Sequence, residues 1–210
     1  MDGINPLLAF ALTSAIIEVT PGPNMTYLAA LSLTSGMRTG FAAVAGIALG
    51  LATYGVVAAL GLAAVIEHSP LLYGILRWGG VAYLLWLAWE TWSSERDISP
   101  DATDGPDGEP FVAFRRGLIT NLLNPKAAVF YVAVLPEFIR PGAGSVMAQT
   151  LALGAIYVTI ATAIHAAIVT LAGTLQSKIA TPDNRRTIRR LLALALVAIA
   201  IWFALTTGQP

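Results

Sequence analysis

The sequence TPGPN at residues 20–24 interrupts an apolar run near the start of this chain, and NLLNPK at residues 121–126 interrupts a second one. Proline inside a helix removes a backbone donor and clashes with the preceding turn, at a cost of about 3 kcal/mol in water. In lipid, the freed carbonyl groups need protein or a water-filled cavity around them. Two such breaks, at matching positions of the two halves, indicate a site built around exposed backbone groups.

The composition is that of a membrane protein. Only 11% of the 210 residues are charged, whereas a soluble domain carries about 25%. Residues 39–66 and 141–177 contain no Asp, Glu, Lys or Arg, and about 20 apolar residues are enough to cross a bilayer. The chain is therefore predicted to be an all-α integral membrane protein. The zero net charge gives no argument for a nucleic-acid partner.

Six transmembrane helices are predicted, three in each half of the chain. They cover residues 4–35, 41–66, 71–92, 117–139, 146–175 and 191–207. Because an odd number of spans inverts the second half relative to the first, we expect two inverted three-helix repeats. Spans one and four are broken at Pro21-Gly22-Pro23 and at Asn124-Pro125. The repeats occupy residues 1–93 and 115–210, and the acidic segment 94–114 is expected to be a cytoplasmic linker.

The positions of Lys and Arg predict the orientation in the membrane. The loops after spans one, three and five carry nine of these residues, whereas the opposite side carries only Arg77 and Arg140. Cytoplasmic loops hold the excess of positive charge in multi-pass proteins. Both termini are therefore expected on the outer face.

The first break is expected to free backbone carbonyl groups near the middle of the membrane. Pro21 and Pro23 cannot donate to the carbonyl groups of Ile17 and Val19. Asn24 is suited to capping the helix that resumes. Free carbonyl groups are acceptors only, so they suit an ammonium group or another cation.

The second break predicts a matching half-helix. Pro125 fits the first turn of a helix that Asn124 caps, and the carbonyl group of Asn121 is expected to be free. Each resuming helix carries roughly +0.5 charge at its N-terminus, which favours a carboxylate. The two breaks together predict a site for a zwitterion. The alternative is a pair of kinks that serve only packing.

Three titratable residues lie at this depth. A lone charge here costs about 2.5–3.5 kcal/mol on insertion scales, so Glu18 and Lys126 need partners. One interpretation is an ion pair that joins spans one and four. In the other, Lys126 binds a substrate carboxylate, and Glu18 receives the ammonium group or carries a coupling proton. His165, in span five, is a second proton-coupling candidate or a hydrogen-bonded packing residue.

The predicted substrate site thus combines both breaks. Its residues are Glu18, Pro21, Gly22, Pro23, Asn24, Asn121, Asn124, Pro125 and Lys126. Elsewhere, Gly46 and Gly50 have the GxxxG spacing that lets two helices approach closely. The partner helix could belong to the same subunit or to a second copy, so a homodimer is one interpretation.

Several motifs follow one another in order along most of the chain. They are Pro21-Gly22-Pro23-Asn24, Gly36-Met37-Arg38-Thr39-Gly40, Gly46 with Gly50, Ala82-Tyr83-Leu84, GLITNLLNPKA at residues 117–127, and Leu135-Pro136-Glu137-Phe138. At these residues the chain resembles the LysE/RhtB family of bacterial amino-acid exporters. The resemblance implies export of an amino acid or a close derivative across the bacterial cytoplasmic (inner) membrane, driven by the proton-motive force. The implied partners are that small molecule, protons and the lipid bilayer.

Two other classes of function are compatible with the same polar residues. One is an intramembrane enzyme that uses Glu18, Lys126 and His165, and the other is an ion-conducting pore. The sequence contains no HExxH zinc pattern and no nucleophile elbow, and the absence of cysteine excludes Cys-ligated metals. We therefore expect no enzymatic activity, no cofactor and no bound metal.

Overall fold

The structure is a computed structural model, and its described residues are helical apart from caps and turns. It describes residues 5–20, 22–61, 71, 78–79, 81–83, 85–86, 88–89, 92, 109–140, 142–176, 187, 190–191, 193–195, 197–198, 200–201 and 204–205. No strand occurs among these residues. Pro21, most of predicted spans three and six, most of the acidic segment and the two termini lie outside them, and of Pro125 only the backbone is described.

The first helix ends at the first predicted break. Helix α1 (Pro6–Val19) begins after Asn5, whose side chain accepts a hydrogen bond from the Leu7 N–H at 2.9 Å. Thr20 has extended backbone angles, and helix α2 (Pro23–Ala59) begins after an extended Gly22. Because proline has no N–H to lose, it starts α2 without an unsatisfied donor. The predicted break in span one is therefore present.

Helix α2 is a hairpin of two helical arms. Gly36 interrupts it with φ 86° and ψ 173°, a backbone conformation that favours glycine. A side chain on Gly40 would collide with Ser32, although these residues would be about 12 Å apart in a straight helix rising 1.5 Å per residue. The chain therefore reverses at Gly36, between predicted spans one (4–35) and two (41–66).

The second break bends the chain between two short helices. Helix α3 (Pro110–Leu122) is followed by α4 (Pro125–Val129), a π-helical turn (Phe130–Val134) and a 3₁₀ turn (Leu135–Phe138). The two sides of the break meet at 54°. Helix α3 starts before the predicted boundary of span four at residue 117, because Pro110 fits the first turn of a helix. The acidic residues before Pro110 led to the prediction of a linker there.

The glycine pair at residues 46 and 50 packs within the subunit. A side chain on Gly46 would collide with the backbone carbonyl of Phe114, and one on Gly50 would lie 2.7 Å from the Asn121 amide nitrogen. A side chain on Gly117 would likewise collide with the backbone carbonyl of Ala43. These small residues form the contact between α2 and α3, which positions Asn121 beside the hairpin.

Helix α5 (Val146–Gln176) completes the described core by packing against α2. Two described helices, Pro23–Ala59 and Val146–Leu175, are long and apolar enough to cross a membrane, and the bent pair around the second break would make a third span. The reversal at Gly36 divides the first of these into two arms. The protein is therefore helical and membrane-spanning, whereas six spans and an inverted repeat stay predictions.

Candidate functional site

The two breaks meet in space although 97 or more residues separate the groups that form hydrogen bonds between them. The Lys126 ammonium group donates to the Thr20 carbonyl at 2.7 Å and to the Glu18 carbonyl at 3.3 Å. The Asn24 amide donates to the Asn121 side-chain oxygen at 2.9 Å, and both side chains are buried. Most of the predicted site residues are thus brought together.

The carbonyl groups that the breaks expose differ from those predicted. The Asn121 carbonyl accepts from the Asn124 N–H at 3.0 Å, and the Ile17 carbonyl accepts from the Thr20 N–H at 3.2 Å. The prediction of a free Asn121 carbonyl is wrong, because the chain closes a tight turn at the break. The Leu122 carbonyl accepts from the Tyr54 hydroxyl at 2.7 Å, so a side chain of α2 satisfies this carbonyl group next to the break.

Asn124 caps the resuming helix, as the sequence predicts. Its side-chain oxygen accepts from the Lys126 N–H at 3.0 Å, and its own carbonyl accepts from the N–H groups of Ala127 and Ala128. Pro125 occupies the first helical position. The cap fixes the start of α4 and hence the direction in which the Lys126 side chain leaves the helix.

The Glu18 carboxylate faces α5, whereas the Lys126 ammonium group binds backbone carbonyl groups. The Tyr157 hydroxyl donates to one carboxylate oxygen at 2.9 Å, and His165 Nε2 lies 2.9 Å from the other. Glu18 is 3% exposed and His165 is fully buried. In the described part of the chain, these contacts take the place of the Glu18–Lys126 side-chain ion pair that was one of the two interpretations.

Tyr157 is the residue at this site that the sequence interpretation missed. It lies two helical turns before His165 on the charge-free helix α5, and residues at such spacing share one helix face. That spacing was the available signal. Tyr157 also stacks on Phe130, with ring centroids 3.6 Å apart, and meets Tyr131 edge-on at 5.6 Å.

Four buried polar atoms at the site have no hydrogen-bond partner within the residues that the structure describes. They are Asn24 Oδ1, Asn121 Nδ2, the Tyr131 hydroxyl and His165 Nδ1. A buried donor or acceptor left unpaired costs about 1–3 kcal/mol. Groups of this kind are ordinarily satisfied by water or by a ligand, so the cluster has hydrogen-bonding capacity for a polar guest.

A cavity of about 510 Å³ lies apart from this cluster, at the end of the molecule where α1 and α5 begin. Its lining residues are Asn5, Pro6, Leu7, Phe138, Arg140, Gln149, Ala152 and Leu153. Phe138 packs against Phe10 at 5.1 Å, and Phe10 packs against Phe130 at 5.9 Å. A row of aromatic rings thus leads from the cavity to Tyr157 and Glu18.

Comparison with known proteins places the chain among membrane translocators. Residues 15–207 match the family described as LysE type translocator. A homoserine/homoserine lactone efflux protein of Salmonella typhimurium is 30% identical over 184 residues, which cover 87% of each chain. A leucine efflux protein of Klebsiella pneumoniae is 31% identical over 140 residues, 65% of each chain. An uncharacterized membrane protein of Escherichia coli is 36% identical over 140 residues, 64% of this chain and 63% of its own. No solved structure matches the chain.

Proposed function

Since this chain belongs to the LysE type translocator family, it is a transporter rather than an enzyme, and we propose that it exports an amino acid or a close derivative from the bacterial cytoplasm. Relatives named as homoserine/homoserine lactone and leucine efflux proteins support this class of substrate. Secondary active transport is proposed because the charged groups at the site lie within apolar helices and not in a soluble domain. The resemblance noted from the motifs leads to the same proposal.

The observation that carries the proposal is the contact between the two breaks. Lys126, from the second break, binds carbonyl groups of the first. Interrupted helices that meet inside a membrane protein are the usual substrate site of secondary transporters. We assign substrate binding to both breaks, that is, to Glu18, Pro21, Gly22, Pro23, Asn24, Asn121, Asn124, Pro125 and Lys126.

Proton coupling is assigned to Glu18 and His165. Their side chains lie 2.9 Å apart and are almost fully buried. A carboxylate beside an imidazole at this depth can take up or release a proton as its partners change. Tyr157 would hold the carboxylate in place, because its hydroxyl donates to Glu18 Oε2.

The proposed topology is six spans in two inverted repeats in the bacterial inner membrane, with both termini outside. The Lys and Arg distribution supports this orientation. The homodimer has less support, because Gly46 and Gly50 already contact α3 of the same subunit.

Export can be tested in cells that overproduce the protein. We expect those cells to tolerate added amino acids or dipeptides that inhibit the parent strain, and to accumulate the amino acid in the medium. Lys126→Ala should abolish this accumulation, whereas Arg140→Ala, which removes an exposed cation outside the breaks, should retain it. Undiminished export by Lys126→Ala at equal membrane abundance would exclude the proposed role of Lys126.

A further inference from the structure

One cation already occupies the first break, and it belongs to the protein. Within the described residues the Lys126 ammonium group makes no salt bridge with a carboxylate, and its hydrogen bonds go to the carbonyl oxygens of Thr20 and Glu18. Helix α1 ends at Val19, and a helix C-terminus carries roughly −0.5 charge. The carbonyl groups and the helix end together hold a primary ammonium group.

The Glu18 and Thr20 carbonyl oxygens, here called the cradle, are accessible, and the Lys126 side chain has room to leave them. Thr20 is exposed, and Lys126 is only half-buried, so the contact lies on the open side of the break, whereas the Glu18 carboxylate points to the buried side. The lysine side chain is a flexible four-carbon stem. It passes over Gly22, where a side-chain carbon would lie 3.4 Å from Lys126 Cδ, so the absence of a side chain at residue 22 leaves the stem room to move.

We propose that the Glu18 and Thr20 carbonyl oxygens form a subsite for a primary ammonium group, which Lys126 occupies in this structure and the α-ammonium group of the substrate occupies during transport. This inference rests on the proposed function. The Lys126 ammonium group, which is tethered to the protein, then competes with the substrate ammonium group for the two carbonyl oxygens. Displacement by the substrate frees the Lys126 ammonium group beside the N-terminal end of α2.

Displacement of the lysine predicts a preference for zwitterions. Before displacement, the Lys126 ammonium group lies 3.7 Å from the position that a side-chain carbon would take at Gly22, the residue that precedes α2. A substrate carboxylate placed there meets the freed ammonium group and the positive N-terminal end of the first arm of α2. A substrate with an amine but no carboxylate would leave Lys126 unpaired at membrane depth, which is costly. Both charges of an amino acid are thus needed for exchange.

Chemical rescue tests the cradle without relying on transport. Lys126→Ala removes the tethered ammonium group and leaves both carbonyl groups in place. We expect ethylammonium chloride to raise the Tm of the purified full-length variant in a saturable way, and to leave the wild-type Tm unchanged. Tetramethylammonium, which has no N–H donor, and Na⁺ are the controls and should give no saturable shift.

Several results would overturn the subsite. They are the absence of a shift with ethylammonium, equal shifts with all three salts, and a shift with Na⁺ alone, which would indicate a metal-cation site instead. Lys126→Ser provides the same empty cradle if Lys126→Ala does not fold.

Displacement is tested with Lys126→Arg. Its guanidinium group can hold the same carbonyl groups through several N–H donors, so the cradle stays filled. We expect a Tm at or above the wild-type value, with exchange of labelled leucine or homoserine in proteoliposomes at least tenfold slower. Wild-type exchange by a variant of equal Tm would overturn displacement. The flux of labelled leucine or homoserine through the wild-type protein in the same preparation tests the proposed function separately. If neither amino acid is transported, the Tm shift with ethylammonium still tests the ammonium subsite.

Discussion

Asn24 and Asn121 connect the two breaks through neutral side chains. Their hydrogen bond is 2.9 Å long and buried, and each amide keeps one polar atom unpaired in the described structure. Hydrogen bonds between membrane helices contribute about 0.6 kcal/mol on average and about 1.7 kcal/mol at most. The pair is therefore expected to orient the breaks more than to stabilise the fold.

A double-mutant cycle measures this contact. We expect Asn24→Ala and Asn121→Ala to be coupled by about 0.6–1.7 kcal/mol in the free energy of unfolding, measured by denaturant titration in detergent micelles. The reason is that either single replacement removes the same hydrogen bond. Strictly additive effects would show that the two amides do not bind each other.

We expect Glu18 and Tyr157 to have separable roles at the buried side of the first break. Glu18→Gln removes the titratable group, so we expect exchange of labelled for unlabelled amino acid to continue while its response to an imposed pH gradient disappears. Tyr157→Phe removes only a hydrogen-bond donor, so it should keep that response at a lower rate. An unchanged pH response in Glu18→Gln would assign the proton to another group.

At the residue scale, the sequence predicted what depends on local chemistry. Proline and asparagine at residues 124–125 predict a capped helix start, and the structure contains one. The partner of Glu18 on α5 depends on how two distant helices pack, which one sequence does not encode visibly, so Tyr157 was missed. The Asn121 carbonyl was predicted to be free because proline chemistry alone ignores the tight turn that satisfies it.

At the element scale, the contact between α2 and α3 depends on small residues. We expect Gly46→Ala to destabilise the protein by about 1–3 kcal/mol, because the added carbon would collide with the Phe114 backbone and lie 2.8 Å from the Leu118 nitrogen. Backbone atoms cannot move aside as a flexible side chain can. Thermal unfolding of the purified protein would measure the loss.

Gly154→Ala is the matched control. It also replaces a helical glycine, but the added carbon meets only the Tyr131 ring at 3.6 Å and the Gly55 Cα at 3.7 Å, which are ordinary contacts. We expect no loss of stability. Equal Tm values for the two variants would contradict the close approach of α2 and α3 at Gly46.

The helices themselves were predicted with uneven success. The turn at residues 35–40 and both breaks are present, because glycine and proline impose them locally. The start of α3 at Pro110 was missed, because the acidic composition led us to include residues 110–114 in the predicted linker. The π-helical turn after α4 was not predicted either, since it arises where the resuming helix adjusts to its neighbours.

At the scale of the whole molecule, the orientation can be measured directly. The chain has no cysteine, so single cysteines can be placed without background labelling. We expect a membrane-impermeant maleimide to label Ala143→Cys on intact spheroplasts, and Arg38→Cys only after permeabilisation, because both positions are exposed and are predicted on opposite faces. The reverse pattern would invert the proposed topology.

In the proposed function, the two meeting breaks form the path of an exported amino acid. The most direct test is the flux of labelled leucine and homoserine in proteoliposomes that contain the purified protein. We expect saturable flux that a proton gradient accelerates and that Lys126→Ala, reconstituted to the same level, has lost. Undiminished flux through folded Lys126→Ala, or a steady current that never saturates, would contradict it.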